Sequence, residues 1–204
     1  MNPPKAVIFD LGNVLIFHDD EGKLFPAMAE KTGVSIDRIR HFVTSKDSAF
    51  WQGVNRGDLE GDAIREAFCK EYGITLTMDE FIDLWTCHFT IHDAVLPLID
   101  SLVGRVKLLL LSNVNGIAWE WIYPRILLLQ KFDHHLLSHE YRLYKPEPAF
   151  FQAAVDLAGV LPQETVFFDD LPRLVEAARD FGIRAEVFTD APNFERQLIE
   201  IGLK

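Results

Sequence analysis

Six side chains of the 204-residue chain combine types and positions that could do chemistry: Asp10, Ser112, Asn113, Lys145, Asp169 and Asp170. Asp10 closes the apolar run KAVIFD, Ser112 and Asn113 close RVKLLLLSN, Asp169 and Asp170 close TVFFDD, and Lys145 stands in the turn YKPEP. Adjacent carboxylates at the end of a buried strand repel each other, raise their own pKa values and call for a cation. All-oxygen donors of this kind select Mg²⁺, which keeps several waters and takes only one or two carboxylates. An Asp carboxylate, ionised at neutral pH from a reference pKa of about 3.9, can attack phosphorus and form an aspartyl-phosphate. A fixed ammonium and a hydroxyl would then offset the charge on the equatorial oxygens. Each piece alone has an ordinary explanation: a strand-end Asp forms turns, Ser-Asn caps helices, and a Lys before Pro is common at surfaces. Their combination is what points to phosphoryl transfer.

The elements that must position these groups follow from the pattern around them. The runs Lys5–Asp10, Arg105–Asn113, Thr165–Asp170 and Arg184–Asp190 are short, apolar and end in polar residues, as buried parallel strands do. Helical patterns over Gly116–Tyr123, which Pro124 should end, Pro148–Leu157 and Leu174–Phe181 separate the later strands. Strand and helix in alternation predict an α/β fold, a Rossmann-like parallel sheet with right-handed crossovers. In such a sheet ligands bind beyond the carboxyl ends of the strands, where the polar residues gather. Pro146 biases Lys145 toward extended backbone and keeps it out of the following helix, so its ammonium can reach that rim. Between the first two strands the chain is far longer than the dozen or so residues a crossover needs. The excess predicts an inserted helical cap, with helices at Leu24–Lys31, Ser35–Val43, Glu60–Glu71 and Met78–Phe89, so that 1–17 and 97–204 form the core and 18–96 the cap. A terminal amphipathic helix is expected over Pro192–Ile201.

At these residues the chain resembles the haloacid dehalogenase superfamily. FDLGNVL (Phe9–Leu15) is similar to its first motif, LLLSN to the second, Lys145 to the third and FFDD to the fourth, and the resemblance covers nearly the whole chain. It implies that Asp10 is the nucleophile and that Asp10, the Gly12 carbonyl and Asp170 bind Mg²⁺, with Asp169 doing so directly or through water. It further implies that Ser112 and the Asn113 amide bind phosphate and that Lys145 steadies Asp10 and the phosphate. The variant DLGNV resembles the branch that includes α-glucose-1-phosphate phosphatase. Many phosphatases of the superfamily carry a second Asp two residues after the nucleophile; here Gly12 stands there, and His18 or Asp19 is the expected substitute acid. Leu174 stands where related sequences often have Asn, which removes one support of the metal carboxylates. The implied activity is Mg²⁺-dependent hydrolysis of a small phosphorylated metabolite, a sugar phosphate above all. The rivals are 2-haloacid dehalogenation, which the Asp169–Asp170 pair disfavours by repelling a carboxylate substrate, and a phosphometabolite binder that has lost turnover.

Other candidates carry less. His88 and His92 are four apart, but no zincin pattern follows and a break near Thr90 is expected. His134 and His135 flank a short strand over His135–Ser138. Phe50, Trp51 and Trp85 read as core of the insert, and Trp119 and Trp121 point to different faces of one helix, one of them outward or toward a second copy in a homodimer.

Composition narrows the partners. Half-apolar content (49%) with 25% charged residues is that of a globular chain, and 20 Lys+Arg against 31 Asp+Glu give a net charge of −11 with no basic cluster, which excludes nucleic acid as the main partner. No run has the length of a membrane span, MNPPKAVIFD lacks signal-peptide order, and Cys69 and Cys87 are far apart, so a reduced cytoplasmic setting and a monomer or homodimer are expected.

Overall fold

A computed structural model describes residues 3–204. Five parallel strands form the central sheet in the order β5-β4-β1-β6-β7: β1 (Ala6–Phe9), β4 (Lys107–Ser112), β5 (His134–Leu137), β6 (Thr165–Asp169) and β7 (Arg184–Val187). Strand β1 lies between β4 and β6, with Phe9 opposite both Leu110 and Phe168. That register brings Asp10, Ser112 and Asp169 to one edge of the sheet, because each follows the paired residues by one or two positions.

Side chains alternate across the strands, as the pleat requires. Val7, Phe9, Leu108, Leu110, Val166 and Phe168 enter one apolar layer; Ala6, Ile8, Leu109, Leu111 and Phe167 enter the other. In the first layer Phe9 stacks on Phe168 at 5.7 Å, and Phe194 of the terminal helix α11 (Ala191–Glu200) meets both edge-on. The second layer is closed by α9 (Pro148–Ala158) and α10 (Pro172–Phe181), which bring Phe150, Phe151 and Val175. Helix α7 (Gly116–Ile122) follows β4 and gives way at Tyr123–Arg125 to a tight turn containing Pro124.

Residues between β1 and β4 build a separate apolar cluster from α1 (Phe25–Thr32), α2 (Ile36–Thr44), α3 (Ala49–Arg56), α4 (Asp62–Tyr72) and α5 (Met78–Thr86). Gly33 and Gly73 end α1 and α4 with left-handed backbone, and Thr77 opens α5 with a reciprocal capping box to Glu80. Ile117 of α7 joins this cluster and so ties it to the sheet.

Several expected elements differ. The helix expected to run from Met78 to Phe89 stops at Thr86, and Phe89–Ile91 instead forms β3, paired antiparallel with β2 (Ile16–His18). Helix α3, with Ser48 as N-cap and Gly57 as C-cap, is an addition, as are the short helices α6 (Leu96–Asp100) and α8 (Ser138–Tyr141). Ser35 precedes α2, but its side chain makes no capping bond. Both His134 and His135 lie inside β5 rather than beside it, because the strand starts where Leu109 finds a partner.

Candidate active site

Asp10 leaves β1 with its N–H bonded to the Phe168 carbonyl at 2.9 Å, so its side chain emerges at the sheet's carboxyl edge, 8% exposed. Lys145 reaches the same edge from the loop before α9 and is 2% exposed. Its ammonium lies 2.8 Å from Asp10 Oδ1 and donates to Asp169 Oδ2 at 2.6 Å. Asn113 fixes the loop that carries it: the Asn113 side chain accepts from Lys145 N–H at 2.8 Å and donates to the Lys145 carbonyl at 3.1 Å. The Lys145–Pro146 peptide is cis.

Asp169 is wholly buried, and its second oxygen accepts from Leu171 N–H at 2.9 Å. Asp170 faces the opening and accepts from Asn13 Nδ2 at 2.9 Å. Asp10, Asp169 and Asp170 each offer an oxygen within 4.8 Å of the others. Ser112, nearly buried, lines the same cleft beside Asn113. All seven residues expected at the site, Gly12 included, therefore meet at one edge of the sheet, although Asp169 contributes from beneath it and Asn113 spends its side chain on Lys145.

The charges explain the titration. Burial pushes Asp10 up to about 7, against the opposing pull of Lys145, and Asp169 adds to the rise. Burial works to lower the Lys145 ammonium, but Asp10 and Asp169 outweigh it and hold it above the usual lysine range. Asp170 is raised by burial, with the Asn13 hydrogen bond opposing. Three carboxylates face a single ammonium here. An all-oxygen donor set with surplus negative charge fits a hard divalent cation such as Mg²⁺.

Asn13 is the residue that sequence reasoning missed. It sits with φ of 52°, in the left-handed region that Asn tolerates, and joins two parts of the site, because its Oδ1 accepts from His18 N–H at 3.2 Å while its amide holds Asp170. The signal available was its place in the tight DLGNV turn. Leu174, where Asn was the familiar residue, is buried at 2% beside the cleft; Asp169 and Asp170 take their hydrogen bonds from Leu171, Lys145 and Asn13 instead.

The cleft has a volume of about 330 Å³ and extends from the sheet edge to the helical cluster, where Trp51, Asn55 and Trp85 line it. Trp51 thus faces the cleft rather than the core, whereas Trp85 belongs to both. His18 also lines it, whereas Asp19 turns its carboxylate to the Gly22 N–H at 2.9 Å. His18, Asp20 and His88 form a second group with ligand-type atoms within 4.8 Å, and burial pushes His88 down to about 3 with His18 and Lys23 adding to the shift. Partial desolvation in the cleft also lowers His18, although the residue remains solvent-exposed, and its imidazole is neutral at pH 7. His92 is elsewhere, buried with Nδ1 on the Val14 carbonyl at 3.0 Å. No helix among the described residues is long and apolar enough to cross a membrane.

Comparison with known proteins bears on the family and the fold. Residues 4–182 match the family model described as haloacid dehalogenase-like hydrolase. The chain is 27% identical over 187 residues to D-ribitol-5-phosphate phosphatase of Bacteroides thetaiotaomicron, covering 87% of this chain and 88% of the relative. Among solved structures, a predicted HAD-like family hydrolase from Porphyromonas gingivalis superposes with a TM-score of 0.81 at 26% identity, over 96% of this chain and 98% of the other. A HAD family enzyme of B. thetaiotaomicron, solved with magnesium and inorganic phosphate, has the same fold, with a TM-score of 0.81 at 24% identity over 92% and 95% of the two chains.

Proposed function

The chain belongs to the haloacid dehalogenase-like hydrolase family, and from that premise we propose that it is a Mg²⁺-dependent phosphatase of a small sugar or sugar-alcohol phosphate. The observation that carries this reading is the single ammonium of Lys145 held between Asp10 and Asp169 with Asp170 beside them. A rim with that surplus of negative charge accepts a phosphate dianion only when a cation is bound as well. Asp10, Asp170 and the Gly12 carbonyl would hold Mg²⁺, with Asp169 close enough to act directly or through water. The bound ion would supply charge neutralisation for the phosphoryl oxygens.

The protein's own groups supply the rest. The Asp10 carboxylate oxygen attacks phosphorus, and the bond to the leaving oxygen breaks, giving an aspartyl-phosphate that water then hydrolyses. Lys145 pins Asp10 through Oδ1, which leaves Oδ2 for the attack, and offsets charge on the transferred group. The Ser112 hydroxyl and the Asn113 backbone amide are the donors for the remaining phosphoryl oxygens. Residues 18–96 act as a cap over the core formed by 1–17 and 97–204, excluding bulk water from the phosphorylated enzyme.

The substrate class rests on the cleft and the relatives. About 330 Å³ suits a small molecule, and Trp51, Trp85 and Asn55 provide aromatic faces and an amide for a hydroxylated chain. The similarity to D-ribitol-5-phosphate phosphatase favours the same class. A 2-haloacid, itself a carboxylate, would be repelled by Asp169 and Asp170. The test is hydrolysis of p-nitrophenyl phosphate: Asp10→Asn should abolish it and EDTA should suppress it, and full activity after either treatment refutes the mechanism.

A further inference from the structure

We propose that His18 is the proton carrier of the hydrolytic step, and that Gly12 is glycine so that the His18 ring can stand over it beside Asp10. The proposal rests on the phosphatase reading above. Hydrolysis of phosphorylated Asp10 needs a base that can reach the attacking water, and the other ionisable groups at Asp10 are engaged. Lys145 holds Asp10 and Asp169, Asp169 also accepts from Leu171 N–H, and Asp170 is held by Asn13.

The geometry at Gly12 singles out His18. A Cβ placed on Gly12 would lie 3.2 Å from His18 Nε2, 3.3 Å from its Cε1 and 3.9 Å from Asp10 Oδ2. The ring edge and the free oxygen of the nucleophile therefore border one small volume. The backbone of Gly12 lies outside the left-handed region, so nothing in the turn itself demands glycine. What a side chain there would crowd is the imidazole, which would have to give way by a few tenths of an ångström. That ring is held from several sides: β2 pairs with β3, placing His18 opposite Phe89; Asn13 Oδ1 accepts from His18 N–H; and the ring packs 5.5 Å from His88 and 5.1 Å from Phe89. The other charged or titratable groups lining the cleft are Asp10, Asp20, His88, Lys145, Asp170 and Arg173. Asp19, the other group near this turn, is occupied with the Gly22 N–H.

In the step itself the water oxygen bonds to phosphorus as the bond from phosphorus to Asp10 breaks. The electron pair of the broken bond returns to the Asp10 carboxylate, and the water's proton passes to His18 Nε2. Because the imidazole is neutral at pH 7, it passes that proton to solvent as phosphate leaves, and the leaving oxygen of the next substrate takes its proton from solvent, so one water is divided between the released alcohol and phosphate in each turnover.

Two experiments test this. In rapid-quench assays with p-nitrophenyl phosphate, His18→Ala and His18→Gln should keep a burst of p-nitrophenolate, accumulate phosphorylated Asp10 and lose kcat by about 10²–10⁴-fold. Gly12→Asp added to His18→Ala should recover at least tenfold of that loss, because the vacated volume accepts a carboxylate. In the metal-free protein, Gly12→Ala should lower Tm in the parent and lower it by less than half as much beside His18→Ala, a packing readout independent of activity. Retained kcat in both His18 variants, loss without phosphoenzyme accumulation, no recovery in the double variant, or additive Tm changes would each overturn the proposal. Wild-type enzyme that forms no Asp10-dependent phosphoenzyme would instead overturn the phosphatase reading itself.

Discussion

Replacing Lys145 with Met should unbalance the site more than any other single change, and the size of the effect can be worked from its contacts. The ammonium stands 2.8 Å from Asp10 and 2.6 Å from Asp169, with its side chain 1% exposed. At an effective dielectric of about 20, each contact attracts by about 6 kcal/mol. Burying all three charges offsets much of that, and removing one partner of such a cluster costs about 3–5 kcal/mol because the other charges stay buried without compensation. For a chain of this size the loss lowers Tm by about 6–20 °C. The pH dependence carries the sign. Asp10 is raised from 3.8 to about 7 in the fold, so between those values the folded state binds a proton that the unfolded chain does not, and stability rises as pH falls. Without Lys145 the carboxylate rises further, and acidification then restores more stability to the variant than to the parent. Urea unfolding of EDTA-treated protein, followed by tryptophan fluorescence, should therefore show a deficit for Lys145→Met that is largest near pH 8 and shrinks toward pH 5. A deficit below about 1 kcal/mol, or one equal at both pH values, would refute the buried-cluster argument.

Three further perturbations separate the roles of other residues. Asn13→Gly keeps the left-handed backbone but removes the amide from Asp170; isothermal titration should show Mg²⁺ binding weakened by about 10–100-fold, as for other partners that orient a metal ligand, and unchanged affinity would remove Asn13 from the metal site. Gly57→Ala and Gly33→Ala both force an L-residue into left-handed backbone, at φ of 72° and 73°, but only the first places a Cβ 2.1 Å from the His139 carbonyl oxygen. The Gly33 variant should lose about 1–2 kcal/mol by chemical denaturation, and the Gly57 variant clearly more, since α3 meets α8 there. Trp51→Ala should raise KM for a sugar-alcohol phosphate by about tenfold, equivalent to ~1.4 kcal/mol, with kcat within threefold; an unchanged KM would take Trp51 out of substrate recognition.

How far the site was legible in the sequence depended on whether a residue's role was local. Asp10, Ser112, Asp169 and Asp170 each end an apolar run, and in a parallel sheet every such run ends on the same side, so their meeting follows from strand polarity alone. Lys145 was harder, since it joins the rim from a loop, yet Pro146 marked a position held out of the helix. Asn13 and the β2–β3 ribbon were not legible for a different reason. Three-residue strands such as Ile16–His18 and Phe89–Ile91 have no periodicity to detect, and their pairing joins segments more than seventy positions apart. The helical pattern through Trp85 continued into Phe89 because nothing local stops it; what stops it is the partner strand. The same ribbon brings His88 beside His18 and lays the His18 ring over Gly12. A glycine that looked like a missing catalytic group in the linear chain has, in three dimensions, the ring of another side chain beside it, and pairwise contacts of this kind are what a single sequence cannot display.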